Sequence, residues 1–360
     1  MRVGLDATPV LSGDTGVARY TTMVLAELGA YDDIDVKPFG AGRGPRAPFP
    51  MRRLPVPLRI VHRTWGWVGL PRAEHIVGSV DVVHTIDGVP PPTRAPLVMS
   101  VHDVLPLVIP ELYQPRSIRI AEAHVEGLRK AAVVVATCHA TADHVSEVTG
   151  IQRERIVVAP LGHRAPSADA PPSPLPPPYI LAVGSVTPRK SFDVLAEAAA
   201  MLGSDCPPIV IAGPDGWRAE EVRERVTGIG MDGRVRFLGR VDDRTLEGLY
   251  RHAELLCHPS VAEGFGIPCL EAMTYGVPVV AGDIPSVREL GGSAVAFAAR
   301  GDAEALSAML AAVLSDQTRQ KEMVEAGRAR AASYTWSRTA AGVVEAYRLA
   351  AGRRGAANQA

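Results

Sequence analysis

Residues 255–275 read L-L-C-H-P-S-V-A-E-G-F-G-I-P-C-L-E-A-M-T-Y, and they separate into a strand, a loop and a helix. The apolar run at 255–258 predicts a buried strand that leads into the loop. Residues 270–275 predict a helix, and Pro268 suits its first turn. A buried strand followed closely by a helix is the unit of a parallel α/β sheet, so this stretch indicates the fold class.

The same alternation of apolar, β-branched runs with helical patterns continues along the whole chain. In the first half, strands are expected at 2–6, 82–86, 97–102, 133–137 and 156–159, with one more after Asp35. In the second half, they are expected at 179–183, 208–212, 234–238, 254–258, 278–281 and 294–297. Between the halves, residues 165–178 read A-P-S-A-D-A-P-P-S-P-L-P-P-P, and so many prolines sustain neither a helix nor a central strand. The sequence therefore predicts two doubly wound α/β domains joined by a stiff connector.

Composition limits the classes of function. The chain has 360 residues, which suits two domains, and its net charge of -1 indicates no general affinity for nucleic acid. The four cysteines lack C-x-x-C spacing, which argues against a zinc site and a disulfide framework and favours a reducing cytoplasm. The N-terminus turns polar too early for a signal peptide, and no apolar run approaches the ~18 residues of a membrane span.

Basic charge is concentrated in residues 41–75, which hold seven arginines against one acid, Glu74, and include Trp65 and Trp67. The arginines are Arg43, Arg46, Arg52, Arg53, Arg59, Arg63 and Arg72. Such a segment can lie on an anionic membrane surface or meet a phosphorylated acceptor, although its prolines and glycines argue against one long amphipathic helix. The plainer interpretation is a solvated loop with local helices.

The loop that follows residue 258 suits a charged ligand. Glu263 and Glu271 flank a turn with two glycines, Gly264 and Gly266, which let a ligand approach the backbone. The helix that follows points free N–H groups at the same place. The arrangement suits a sugar attached to a phosphate, and the alternative is an ordinary loop whose glutamates are solvated caps.

Arg189 and Lys190 supply positive charge at a comparable position. They follow the expected strand 179–183 and a glycine-bearing turn, so they lie at the carboxyl end of a parallel strand, where ligands bind in open α/β sheets. Ser191 is expected to cap the helix that follows. The apolar face of that helix is spaced by three and four residues: Phe192, Leu195, Ala199 and Leu202.

A longer pattern runs through these features. From His258 to Val280 the chain reads H-P-S-x-x-E-G-F-G-I-P-x-L-E-A-M-x-x-G-x-P-V-V, which resembles the donor-site signature of retaining glycosyltransferases of the GT-B fold, specifically glycosyltransferase family four, the group 1 glycosyltransferases. The resemblance continues, in the family's order, at T-G-V-A-R-Y (Thr15 to Tyr20), V-H-D-V-L-P-L (Val101 to Leu107), V-G-S-V-T-P-R-K-S (Val183 to Ser191) and Y-T-W-S-R-T-A (Tyr334 to Ala340). These motifs span nearly the whole chain.

The resemblance implies the GT-B architecture, in which two Rossmann-like domains face a central cleft. It makes residues 1–165 the acceptor-side domain, residues 166–178 the proline-rich linker and residues 179–339 the domain that binds the nucleotide-sugar donor. The terminal helix, within residues 340–360, is implied to cross back onto the first domain.

The resemblance also assigns roles on the donor side. Arg189 and Lys190 are implied to contact the donor phosphates, Glu263 the hydroxyls of the donor sugar and Glu271 the ribose hydroxyls. Further implied donor contacts are Gly16, Ser185, where many members have arginine, Leu238 near the base, and Gly264, Phe265, Gly266 and Ile267. No metal or other cofactor is expected, because the D-x-D match at residues 33–35 lies far from the signature, so cations and helix dipoles have to neutralise the leaving group.

The acceptor side is less defined. The resemblance places His102 opposite the donor sugar, whereas a lone histidine at a strand end is by itself more often structural. Asp103 either orients this imidazole or caps the following segment, and Arg19 either approaches the ligands or makes a structural ion pair. His139 is a candidate acceptor contact in C-H-A-T, where relatives often have S-E-x-S, and Thr141 is expected to cap the helix there.

The activity implied by the resemblance is metal-independent transfer of a sugar to an acceptor hydroxyl with retention of configuration. GDP-mannose is the preferred donor, and the acceptor is a glycan, a lipid-linked sugar or a small molecule. We expect the protein in the cytoplasm. Contact of the basic segment with the inner face of the membrane is the alternative to a solvated loop. The alternatives are a UDP-sugar donor (glucosyl or N-acetylglucosaminyl), an epimerase or a phosphorylase of the same fold, and a non-catalytic protein that binds sugar nucleotides.

Overall fold

The computed structural model describes residues 1–13, 15–42, 44, 47–169, 171–231 and 233–357, of which residues 12, 66 and 354–357 are described through their backbone. The chain divides into two compact units. The first unit comprises Met1–Pro110, Gln114–Gly162 and the residues from Thr335 on. The second unit comprises Glu111–Tyr113 and His163–Tyr334.

Over the described residues, the first unit is built on seven parallel strands in the order β3-β2-β1-β4-β5-β6-β7. The strands are β1 (Arg2–Asp6), β2 (Asp35–Ala41), β3 (Arg52–Leu54), β4 (Val82–Thr85), β5 (Leu97–Val101), β6 (Val133–Ala136) and β7 (Ile156–Val158). The helices are α1 (Gly16–Leu28), α2 (Leu58–Trp67), α3 (Ala73–Val77), α4 (Leu105–Val108), α5 (Pro115–Lys130), α6 (His139–Thr149) and the last helix of the chain, α14 (Trp336–Ala357).

Both faces of this sheet are buried, which explains the continuous apolar runs of its strands. Side chains alternate between the faces, so Val83 and Met99 join a cluster with residues of α3 and α5. The intervening His84 and Ser100 point to the opposite face, where they meet tyrosines of α14 and α1.

The second unit has six parallel strands among its described residues, in the order β10-β9-β8-β11-β12-β13. The strands are β8 (Ile180–Val183), β9 (Ile209–Ala212), β10 (Val235–Gly239), β11 (Leu255–His258), β12 (Val279–Gly282) and β13 (Val295–Ala298). The helices are α7 (Phe192–Leu202), α8 (Ala219–Gly228), α9 (Asp243–His252), α10 (Ile267–Tyr275), α11 (Pro285–Gly291), α12 (Ala303–Leu314) and α13 (Gln317–Ala331).

The strand order in each sheet reverses beside its first strand, between β1 and β4 and between β8 and β11. At such a point the connections leave in opposite directions and open a crevice at the carboxyl ends of the strands, where ligands of this fold class bind. Each unit therefore has one position at which its own sheet favours a ligand.

The strand predictions are confirmed, since each strand given a range lies within one residue of it, and the anticipated strand begins at Asp35. The predicted apolar face of α7 is also confirmed, because Phe192, Leu195 and Ala199 are fully buried and Leu202 packs against them. The short β3 was not foreseen.

The proline-rich segment packs onto the second unit. Ser167 donates from its N–H and its hydroxyl to Glu247 of α9, at 2.9 and 2.8 Å. The carbonyl oxygen of Pro172 lies 2.5 Å from the point that a Cβ on Gly248 would occupy. The unit boundary falls between Gly162 and His163, three residues before the expected start of the linker.

All four cysteines are buried, and none of them forms a disulfide. Within the ranges that the structure describes, none of the helices has the length and apolar character needed to cross a membrane.

Candidate active site

Glu263 lies at the centre of a buried ion cluster in the second unit. Its Oε1 is 2.5 Å from Lys190 Nζ, 2.9 Å from Arg189 Nη1 and 3.4 Å from His258 Nε2. Burial alone would raise the pKa of the Glu263 carboxyl, but the nearby Lys190 and Arg189 outweigh it and hold the pKa well below its usual value. Burial lowers the pKa of His258. At neutral pH the cluster thus combines two cations with one carboxylate.

The cluster lies where the second sheet favours a ligand, because β8 and β11 are neighbours at the reversal of strand order. After β8, a turn leads to a short 3₁₀ helix, Pro188–Lys190, that directs Lys190 inward. Gly184 in the turn has a φ of +149°, and a Cβ there would lie 2.8 Å from Lys190 Cε. The glycine of the V-G-S motif is therefore needed for the lysine to reach Glu263.

His258 belongs to the site but was not among the predicted site residues. It is the last residue of β11 and only 2 % exposed. A buried histidine at a strand end, five residues before Glu263, was the available signal.

The turn before α10 requires its second glycine. Gly266 has a φ of +102°, and a Cβ there would lie 2.9 Å from Val287 Cγ2. Phe265 is buried with its ring on Tyr334, while Ile267 stays exposed at the first residue of α10. The helix begins three residues earlier than expected, with Pro268 in its first turn as predicted.

Glu271, on α10, has a different environment from Glu263. Its Oε2 accepts a hydrogen bond of 2.9 Å from the Tyr250 hydroxyl. Tyr250 stacks on Tyr275 with ring centroids 5.3 Å apart. The carboxylate is therefore oriented by a phenol rather than paired with a cation in this bond.

Glycine backbone forms the adjoining edge of the second sheet. Gly213 N–H donates to Gly239 O at 2.9 Å, and a Cβ on Gly213 would lie 2.0 Å from Gly184 O. The carboxyl ends of β8, β9 and β10 therefore come together without side chains between them. Ser185 is exposed and Leu238 is half-buried beside this edge.

In the first unit, His102 follows β5, as predicted. Its ring meets the edge of Tyr20 with centroids 4.8 Å apart and planes at 84°. Burial lowers the pKa of His102 to about 4, so the imidazole is neutral at pH 7. Val104 occupies the cap position of α4, and Asp103, one residue earlier, accepts at Oδ1 from Leu105 N–H at 3.1 Å.

The other acceptor-side candidates lie at helix starts. Gly16 is the exposed first residue of α1, with open space where a Cβ would be, and Arg19 is half-buried one turn on. His139 is the exposed first residue of α6, and its Nδ1 lies 2.8 Å from Arg153 Nη2. The structure pairs His139 with an arginine of its own unit.

Two predicted caps are wrong. The cap of α6 is Cys138, whose Sγ accepts from Thr141 N–H at 3.3 Å, so Thr141 is the recipient of the cap rather than its source. Ser191 occupies the cap position of α7 in a left-handed conformation, with φ of 51°, and its hydroxyl is directed at Pro188 O, 3.4 Å away.

Buried polar atoms without a hydrogen-bond partner lie at the carboxyl ends of strands in both sheets. Such an atom costs about 1–3 kcal/mol unless a ligand or water pairs with it. Six are found over the described ranges. Three of them lie at or just after strand ends, namely Thr85 Oγ1, His102 Nε2 and Ser260 Oγ, and a fourth, His258 Nε2 at the end of β11, has only the 3.4 Å contact with Glu263 Oε1. These strands, β4, β5 and β11, flank the reversal of order or adjoin it.

The D-x-D match lies elsewhere. Asp35 begins β2, and Asp33 just before it makes an exposed ion pair of 3.1 Å with Arg348. Both aspartates are therefore at the amino end of β2, away from the carboxyl edge. Among the side chains that the structure describes, no three of His, Cys, Asp and Glu converge as metal ligands would.

The basic segment is folded as short elements. Arg52 and Arg53 donate to backbone carbonyls, including Ile76 O and Gly42 O at 2.8 Å each. Trp65 is buried, and Trp67 is 78 % exposed. The predicted contributions of Arg43 and Arg46 lie outside the described residues.

The chain is similar to glycosyltransferases in sequence. Residues 165–330 match the family described as glycosyl transferases group 1, and residues 15–164 match Glycosyltransferase Family 4. The O-antigen chain mannosyltransferase B of Escherichia coli is 33% identical over 174 residues, which is 48% of this chain and 46% of that protein. The D-inositol 3-phosphate glycosyltransferase of Nocardia farcinica is 31% identical over 288 residues, 71% of this chain and 62% of that protein. The chain thus spans about half to three fifths of the length of these curated relatives.

Solved structures share the fold across nearly the whole chain. A glycosyltransferase from Rickettsia africae has a TM-score of 0.72 at 19% identity, covering 97% of this chain and 98% of that one. WaaG, a glycosyltransferase involved in lipopolysaccharide biosynthesis, has a TM-score of 0.69 at 19% identity, covering 95% and 99%. These similarities confirm the predicted GT-B fold.

Proposed function

The chain belongs to the group 1 glycosyltransferases, and we propose that it transfers a sugar from a nucleotide-sugar donor to an acceptor hydroxyl. The observation that carries this proposal is the ion cluster of Lys190, Arg189 and Glu263 at the point where the second sheet favours a ligand. A departing nucleoside diphosphate develops negative charge, and fixed cations in a buried site stabilise that charge most effectively.

The cluster holds both cations in place before a donor binds. Glu263 fixes the ammonium group of Lys190 and the guanidinium of Arg189 at 2.5 and 2.9 Å. An ammonium has three donor hydrogens and a guanidinium five, so each can bond Glu263 and a phosphate oxygen together. The N-terminus of α10 adds backbone N–H groups near the same diphosphate.

The two glutamates have separate proposed roles. Glu263, at the end of the loop from β11, is proposed to accept hydrogen bonds from hydroxyls of the donor sugar. Glu271 is proposed to accept from the ribose hydroxyls, and its orientation by Tyr250 suits a carboxylate that receives two bonds from a vicinal diol. The glycine edge formed by Gly184, Gly213 and Gly239 allows the nucleotide close to the backbone.

The finer proposal is a GDP-mannose donor, retention of the anomeric configuration and no requirement for a metal. The V-H-D and P-R-K sequences support mannose, as do relatives named as mannosyltransferases. Retention needs no covalent nucleophile if the departing phosphate deprotonates the incoming hydroxyl. A UDP-sugar donor remains the alternative.

Transfer is tested with a panel of GDP-mannose, UDP-glucose and UDP-N-acetylglucosamine and a set of glycan and lipid-linked acceptors. We expect GDP release from GDP-mannose that depends on the acceptor, persists in EDTA and proceeds without inorganic phosphate, and an α-linked product by NMR. Dependence on inorganic phosphate would indicate a phosphorylase. Tight donor binding without turnover over the whole panel would favour a non-catalytic sugar-nucleotide-binding protein.

We also propose that residues 41–75 contact an anionic membrane surface at its cytoplasmic face. The outer side of α2 and the residues after it expose Ile60, Trp67 and Val68 at 48%, 78% and 66%, and Arg63 lies over the Trp67 ring at 4.7 Å. Apolar and cationic groups on one exposed side suit the headgroup region of an anionic bilayer.

This contact is tested by sedimentation with phosphatidylcholine vesicles with and without phosphatidylglycerol. Binding should require the anionic lipid, weaken in high salt and fall severalfold in Trp67→Ala. Met201→Ala is the matched control, since Met201 is 55% exposed in the second unit. Equal binding to both kinds of vesicle, or equal losses in both variants, would contradict the proposal.

A further inference from the structure

A row of buried polar side chains crosses the first unit from its last helix to the neighbour of His102. The hydroxyl of Tyr347, on α14, lies 2.8 Å from His84 Nδ1, and His84 Nε2 lies 2.9 Å from Ser100 Oγ. Ser100 Oγ lies 3.2 Å from the hydroxyl of Tyr20. The row thus joins α14, β4, β5 and α1 through side chains.

The side chains of the row are uncharged and almost completely buried from solvent. Its members are between 0% and 3% exposed. Burial lowers the pKa of His84 to about 3 and raises the pKa of Tyr20 to about 12, so neither changes its charge at moderate pH. A neutral imidazole has one donor and one acceptor nitrogen, so His84 can bond both neighbours together and transmit a fixed orientation.

The row ends against His102. The Tyr20 ring meets the His102 ring edge-on at 4.8 Å, and His102 Nε2 has no hydrogen-bond partner within the described part of the chain. On its Nε2 side, this imidazole is therefore oriented by packing, including the contact with the Tyr20 ring. Tyr20 also follows Arg19 directly, so the same anchor fixes the first turns of α1.

We propose that Tyr347, His84, Ser100 and Tyr20 are positioning residues that hold the imidazole of His102 in the orientation that sugar transfer requires. The inference rests on the proposed function, in which His102 takes part in transfer. It assigns to the last helix a role at the site that goes beyond packing. None of the four is a catalytic residue, because each acts through His102.

The test is Tyr347→Phe, with Tyr179→Phe as its matched control. Each substitution removes one buried phenol oxygen that makes a hydrogen bond of 2.8 Å, to His84 Nδ1 for Tyr347 and to Leu249 O for Tyr179 in the second unit. The Tyr179 hydroxyl also lies 3.1 Å from Ser173 Oγ, so this control loses at least as much hydrogen bonding as the test variant. The measurements are kcat, the donor KM, the thermal midpoint and the NMR signals of the His102 ring nitrogens.

A displacement of about 1 Å at a reacting group costs on the order of 100-fold in rate, so a smaller tilt of the imidazole predicts a loss of about tenfold in kcat. For Tyr347→Phe we expect this loss, a donor KM within about twofold of wild type, and shifted His102 signals. For Tyr179→Phe we expect a similar loss of thermal stability without either effect. The inference is overturned if the two variants have the same kcat and the His102 signals stay in place.

A second pair keeps the test decisive if Tyr347→Phe does not fold. His84→Gln retains a donor and an acceptor and should preserve more kcat than His84→Leu, which has neither. Equal activity of the two, relative to their folded fractions, would contradict the inference. If the wild type transfers no sugar from any donor, the proposed function fails, yet the NMR comparison still decides whether the row orients His102.

Discussion

Lys190→Met is the substitution that most sharply separates binding of the leaving group from general stability. Lys190 is 7% exposed, and its Nζ lies 2.5 Å from Glu263 Oε1. A hydrogen bond to a charged group contributes about 1.5–3 kcal/mol. If Lys190 donates to a donor phosphate, the variant should bind GDP or UDP about 10- to 150-fold more weakly.

The stability change follows from what remains around Glu263. Arg189 is still 2.9 Å from the carboxylate, so the buried charge keeps a partner. We expect a loss of roughly 1–3 kcal/mol, below the 3–5 kcal/mol that follows when a buried charge is left alone. In a unit of this size, that loss lowers the thermal midpoint by about 2–12 °C.

The pH dependence has a definite sign. The pKa of Glu263 lies well below its usual value in the folded protein. The ionised carboxylate therefore stabilises the fold at pH values above its pKa in the unfolded chain, near 4.5. This stabilisation is lost as the pH falls through the lower pKa of the folded protein. Without Lys190 the folded pKa rises, so acid unfolding of the variant should begin at a higher pH.

The assay is calorimetric titration of GDP and UDP at pH 7.5, with thermal unfolding on the same samples. Lys321→Met is the control, because Lys321 is an exposed lysine on α13 of the same unit. If Lys190→Met binds nucleotide as tightly as Lys321→Met does, the assignment of Lys190 to the leaving group is wrong.

Three further substitutions test other parts of the account. Glu263→Gln keeps the shape of the side chain but removes its charge, so kcat/KM should fall by about 100-fold or more in the transfer assay, and near wild-type turnover would contradict its role at the donor sugar. Gly266→Ala forces a side chain into a φ of +102° and to 2.9 Å from Val287 Cγ2, so denaturant unfolding should show a loss of about 1–3 kcal/mol, whereas Gly228→Ala, with nothing within 4 Å, should show almost none. Burial lowers the pKa of His84 to about 3, so this histidine is neutral in the folded protein. The free energy of unfolding should therefore fall by about 2 kcal/mol between pH 7 and pH 5, where His84 is protonated in the unfolded chain alone. His84→Gln should remove this part of the pH dependence, and an unchanged pH slope in the variant would refute the reasoning.

The sequence predicted the regular framework well because the strands are continuous apolar runs. Strand β3 was not predicted, because Arg52–Leu54 is short and basic and is a strand only through its pairing with β2. Strand β2 could be anticipated but not bounded, since it contains Pro38, which is unusual in a strand paired on both sides.

The candidate site could be predicted where its geometry depends on residues that are close together in the sequence. The turn from Glu263 to Pro268 depends on local glycines and a helix start, and both are visible in sequence. The meeting of Lys190 with Glu263, 73 residues apart, depends on the adjacency of β8 and β11. Spacing along the chain contains no information on that adjacency.

Caps and buried polar rows were beyond sequence reasoning for a related reason. A hydroxyl just before a helix can accept a hydrogen bond from a helix N–H or donate one to a preceding carbonyl. With its left-handed backbone, Ser191 directs its hydroxyl to the carbonyl oxygen of Pro188. The bonds from His84 join elements as far apart as residues 84 and 347. Such contacts follow from tertiary packing, which a single sequence does not specify.

The central claim is that Lys190 and Arg189 hold the diphosphate of a nucleotide-sugar donor beside Glu263. A crystal structure with GDP-mannose bound tests it most directly. We predict phosphate oxygens within hydrogen-bonding distance of both cations, with the sugar next to the Glu263 carboxylate. A diphosphate bound elsewhere, or one held by a divalent cation on aspartates, would contradict the account.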